Sequence, residues 1–183
     1  MKEVLKRLNW KLILVHFIAT WFFIHSFYIL SYLHDIEFTE FIMKNRNHTP
    51  VFDEIPFDTK RMSNFFMVTG ISKFIGLLVA FMISLSISIY RKWFWLNSVF
   101  VLLITYTFFK LDFLQWNYLK VVFRFIGGFM PNITLDVLVD GLVMLLLGLI
   151  IFFSKKSSQL INSKKTYNSR TILSFRSMRN LSM

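Results

Sequence analysis

Hydrophobic positions along this chain gather into four blocks, parted by short charged or proline-containing breaks. The last is the cleanest: residues 134–153 close on GLVMLLLGLIIFF, uncharged from Gly141 to Phe153, and Ser154-Lys155-Lys156 follow at once. At about 1.5 Å of rise per residue, twenty residues reach roughly 30 Å, the thickness of a bilayer's hydrocarbon core. A soluble helix of that length carries a polar stripe, and the last turns of this one have none. The other blocks are residues 12–33, 65–90 and 93–109. The pattern predicts an all-α polytopic membrane protein, with a four-transmembrane-helix bundle in residues 1–153 and a basic tail in 154–183.

The breaks set the connections. Arg91-Lys92 makes a tight turn between the second and third spans. The long connection is the loop 34–64, where Asp35, Glu37, Glu40, Asp53, Glu54 and Asp58 outnumber Lys44, Arg46, Lys60 and Arg61. Within it, residues 35–44 can form a short interfacial helix, whereas Pro50 and Pro56 force irregular backbone. Asp53-Glu54 has the chemistry of a cation-binding pair, but a solvated acidic loop explains it as well. Residues 110–126 are amphipathic: Leu111, Leu114, Tyr118, Val121, Val122 and Phe125 share one helical face, and Asn117, Lys120 and Arg124 the opposite one. They predict a helix lying in the outer interface, or a continuation of the third span above the membrane.

Charge sets the orientation. The formal net charge is +11, and it is unevenly spread. Lys2, Lys6, Arg7 and Lys11 precede the first span. Lys155, Lys156, Lys164, Lys165, Arg170, Arg176 and Arg179 fill the tail without one acid. With Arg91-Lys92, these place both termini and the second turn on the cytoplasmic side of a bacterial inner membrane, with Trp10, Trp93 and Trp95 at that interface. The partner such a tail calls for is a layer of anionic lipid headgroups. Nucleic acid is the weaker reading, because only Tyr167 and Phe175 could stack on bases. The chain has no cysteine, which excludes disulfides, thiolate nucleophiles and Cys-based metal sites.

Polar residues inside the blocks are the candidate chemistry. His16 and His25 are nine residues apart on one helix, hence on opposite faces, and cannot share a metal. Each is expected to hydrogen-bond a neighbouring helix. Ser84, Ser86 and Ser88 alternate and so do not line one face; interhelical or backbone hydrogen bonds are their expected role. Asp136 and Asp140 lie one turn apart on one face of the last span. Depth counting puts Asp140 and Lys73 at similar levels, about 20 and 25 Å from the inner boundary. An ionised group in lipid needs a partner or water. Asp140 is therefore expected to pair with Lys73 or Arg124, with His25 within reach. An orienting salt bridge, an ion- or proton-handling site, and snorkelling to the headgroups are the three readings of this cluster.

The chain has no HExxH, GxSxG or phosphate-cradling loop, and no cofactor is expected. In size, short turns and one longer hydrophilic loop, it resembles the four-span immunity proteins to pore-forming colicins and the membrane accessory proteins beside RNA-targeting CRISPR effectors. That resemblance is of architecture alone and carries no site residue. It implies a non-enzymatic accessory protein that binds another protein within the membrane, or a second copy of itself. The alternative is an oligomeric channel or small transporter subunit, against which stands the lack of a polar face along any span. An intramembrane enzyme is the third reading.

Overall fold

The computed structural model describes residues 8–44, 56–110 and 132–159. Residues 111–126 of the amphipathic segment, Arg124 among them, lie outside this set, as do Lys164, Lys165, Arg170, Arg176 and Arg179. Among the described residues the chain is all-helical. Three of its helices are long and apolar enough to cross a membrane.

The first, α1, is Trp10–Leu30. Asn9 opens it by accepting from the backbone N–H groups of Lys11 and Leu12, which satisfies donors that a helix start leaves orphaned. No glycine or proline interrupts it, and a turn of 3-10 helix, Ser31–His34, extends it to a 25-residue span. The short α2, Ile36–Lys44, follows in the stretch whose sequence predicts an interfacial helix.

Helix α3, Thr59–Tyr90, is 32 residues long, about 48 Å, and overruns a bilayer core. Asp58 caps its start through a 2.6 Å bond from the Arg61 N–H. Its end is a Schellman motif: Trp93 N–H bonds Ser88 C=O at 2.7 Å, and Lys92 N–H bonds Ile89 C=O at 3.0 Å. Lys92 takes the left-handed position usually given to glycine, with φ at 53°. The turn consumes Trp93 to Trp95, so α4 begins at Leu96 and runs to Lys110. Its 15 residues rise about 22 Å. The last helix, α5, is Ile133–Phe153, capped by Asn132 and followed by a further helical turn to Gln159.

Helix α1 is the hub. Of its most apolar window 56% is buried, against 22% for α3 and 28% for α5. Small residues let its neighbours close in. A Cβ on Gly76 of α3 would sit 3.0 Å from both Ile24 Cα and Phe23 O. Gly148 of α5 lies against the Phe23 ring and Ala19 O, and Gly141 lies against Leu30. Without a hydrophobic drive between helices in lipid, such close packing is a main source of association. Ala19, Phe23, Ala80, Ile87 and Phe152 form the central cluster where α1, α3 and α5 meet. Leu8, Ile13 and Val101 tie the start of α1 to α4.

These contacts fix directions. Ile24 meets Gly76 and His16 meets Ser84, so α3 runs antiparallel to α1. Leu30 meets Gly141 and His16 meets Phe152, so α5 does too. Asn9 meets Asn97 and Phe17 meets Phe108, so α4 runs parallel to α1.

Candidate functional site

Polar side chains concentrate at three levels of the bundle. The first is a buried knot near the start of α1. His16 Nδ1 lies 2.7 Å from Ser84 Oγ; Ser84 Oγ donates to Ser98 Oγ at 2.9 Å; Ser88 and Ser98 share a further bond at 3.0 Å. All four side chains are fully buried. The knot joins α1, α3 and α4. Aromatic rings roof it: His16 meets Phe152 edge-on at 5.1 Å and Trp93 at 6.2 Å. Asn97, also buried, accepts the Asn9 N–H at 2.9 Å and donates to Phe94 O, so the first turns of α1 and α4 are stitched together. Thr20 and Thr105 turn their hydroxyls back onto their own helices, to His16 O and Val101 O. Ser26 crosses to α5 and donates to Gly141 O at 2.7 Å.

The second level is at the opposite end, where α2 folds over α3. Arg61 grips Asp35 with two bonds, Nε to Oδ2 at 2.6 Å and Nη2 to Oδ1 at 2.7 Å, and reaches Glu37 at 2.9 Å. Its guanidinium lies 4.6 Å from the centroid of Phe57. A planar fork matches a carboxylate in this way where lysine cannot. The Arg61 guanidinium holds the Asp35 carboxyl below its ordinary value; partial burial opposes that shift, and the Phe38 N–H reinforces it. Phe38 is the anchor of α2, buried edge-on against Phe57 and Phe65.

The third level holds the residues that the sequence singled out. Lys73 sets its ammonium 4.1 Å from the centre of the Tyr28 ring on α1, a cation–π contact. His25 is buried and packs edge-on against Trp21 at 4.3 Å. Asp136 and Asp140 stand in the first two turns of α5, each with a buried Oδ1, and that of Asp136 accepts no hydrogen bond among the described residues. The structure thus brings Lys73 to Tyr28 and His25 to Trp21, with both aspartates at the same end of the bundle. Of the tail's basic residues, Lys155 and Lys156 are described, and both are exposed at the end where α1 begins.

His16 and the serines are expected to hydrogen-bond across helices, but the partners in two clusters could not be read in advance. Ser84 and Ser88 turn inward while Ser86 is exposed; the four-residue spacing of the first two was the available signal. Asp35 and Arg61 are 26 residues apart, and no pattern in the loop pairs them. Among the described residues no group of three His, Asp or Glu is placed to hold a metal ion.

Comparison with protein-family models, with proteins of known function and with solved structures finds no match to this chain.

Proposed function

We propose that this is a four-crossing inner-membrane protein with both termini cytoplasmic, acting without catalysis by binding another protein within the bilayer. The directions of the helices support the fourth crossing. If α1, α3 and α5 span, α3 ends where α1 begins, yet α5 starts at the opposite end. That arrangement calls for a return crossing between α3 and α5, and α4, about 22 Å long, lies parallel to α1 as such a crossing would. Orientation follows from the positive-inside bias: Lys11, Arg91, Lys92, Lys155 and Lys156 share the end where α1 begins.

The observation that carries the functional reading is how the interior polar groups are used. His16, Ser84, Ser88 and Ser98 satisfy one another across three helices, and Ser26 bonds a backbone carbonyl of α5. Groups engaged in this way hold helices together rather than line a conduit. Facing outward, α5 presents Leu135, Leu138, Leu142, Leu146, Ile150 and Phe153, an apolar face for lipid or a partner helix. The deciding experiment is native mass spectrometry of the tagged chain released in mild detergent, followed by bilayer recording. A foreign membrane protein at fixed stoichiometry is the expected result. A closed ring of this chain alone that conducts ions would replace this reading with the channel.

A further inference from the structure

We propose that the end of the bundle where α1 begins is a built binding face for anionic phospholipid headgroups, independent of the basic tail beyond it. Five cations from three separate elements meet there: Lys11 from α1, Arg91 and Lys92 from the α3–α4 turn, and Lys155 and Lys156 just past α5. No described acid accompanies them. Asp35, Glu37, Glu40, Asp58, Asp136 and Asp140 all lie in the other half of the bundle.

The fold, rather than the sequence, makes these five one surface. Antiparallel packing brings Phe152 to His16, which sets the end of α5 beside the start of α1. The Schellman turn tucks Trp93 against the same His16. Arg91 then lies over Trp93, 5.2 Å from its ring centre, a cation–π contact that holds its charge at this end. Lys11, Lys92, Lys155 and Lys156 are exposed. Trp10 and Trp95, 57% and 52% exposed, stand in the same belt. Tryptophan at that level marks the depth of the headgroups. A phosphodiester without a compensating amine complements this face; phosphatidylcholine, whose ammonium cancels its phosphate, does not. The inference rests on membrane embedding and not on the partner-binding reading, so either can fail without the other.

The test is spin-labelled lipid association with the full chain in mixed phosphatidylglycerol–phosphatidylcholine nanodiscs. The expected preference for the phosphatidylglycerol label is about fivefold or more, since even one cation near an anionic surface contributes on the order of 1 kcal/mol. The quadruple variant Lys11→Gln/Lys92→Gln/Lys155→Gln/Lys156→Gln spares the Arg91–Trp93 stack and is expected to lose most of that preference. Neutralising Lys164, Lys165, Arg170, Arg176 and Arg179 instead should leave it largely in place. The single variants Lys92→Gln and Lys155→Gln should each lower it by a step, which decides the matter even if the quadruple variant folds poorly. A wild-type chain without preference, a quadruple variant that keeps it in full, or a tail variant that abolishes it each overturns the proposal.

Discussion

Ser98 accepts or donates in two of the three bonds of the buried knot, to Ser84 and to Ser88. Replacing it with alanine leaves Ser84 its bond to His16 but strips Ser88 of its partner from α4. Interhelical bonds in membranes are individually modest, so Ser98→Ala should cost roughly 0.6–1.7 kcal/mol. The exposed Ser86→Ala should stay within about 0.5 kcal/mol of wild type. Equilibrium unfolding in mixed micelles separates the two; equal stabilities would remove the knot's structural role. Asp35 gives a residue-scale dependence on pH. Its carboxyl titrates below the ordinary 3.8 because Arg61 holds it ionised. The pair therefore contributes in full above that value and is lost as pH falls through the lower, folded one. A spin label at Ile42→Cys, on the exposed side of α2, should be restrained at neutral pH and mobile in strong acid. With Asp35→Asn it should be mobile throughout. A label equally restrained in that variant would show that Phe38 alone seats α2.

Two glycines of α3 separate propensity from packing. A Cβ added at Gly70 would meet nothing within 4 Å, whereas one added at Gly76 would lie 3.0 Å from two backbone atoms of α1. Backbone cannot step aside as a side chain can. Gly76→Ala should thus destabilise by about 1–3 kcal/mol, while Gly70→Ala should be neutral or gain up to about 1 kcal/mol from helix propensity. Thermal melts of the two purified variants give the comparison, and similar melting points would mean that α1 and α3 are not in backbone contact. The hydrophobic blocks made the existence of these helices legible. They could not tell Gly70 from Gly76, because both sit in apolar surroundings and only the direction of α1 distinguishes them. The boundary at Leu96 was hidden for a similar reason. Trp93 and Phe94 suit a span as well as α4 does, but the Schellman turn takes them for itself.

At the scale of the whole chain, charge and hydropathy predict a membrane protein, and among the described residues three helices are long and apolar enough to cross one. Which polar residues meet was the illegible part. Depth along two helices suggests Asp140 with Lys73, but depth says nothing of rotation about each axis, so the Tyr28 ring that Lys73 meets could not be read from it. The absence of native cysteine makes the fourth crossing directly testable. Single cysteines at Lys60, Lys92, Asn132 and Lys155 mark the start of α3, the α3–α4 turn, the start of α5 and the residue just past its end. A membrane-impermeant maleimide added to intact cells should label Lys60→Cys and Asn132→Cys. Lys92→Cys and Lys155→Cys should react only after permeabilisation. The informative pair is Lys92 and Asn132, because the path between them contains α4 and nothing else that is described. Labelling of both from one side would mean that α4 enters the membrane without crossing it. Helix α5 would then have to start on the side where α3 ends, against its antiparallel packing on α1, and the four-crossing arrangement would fall with it.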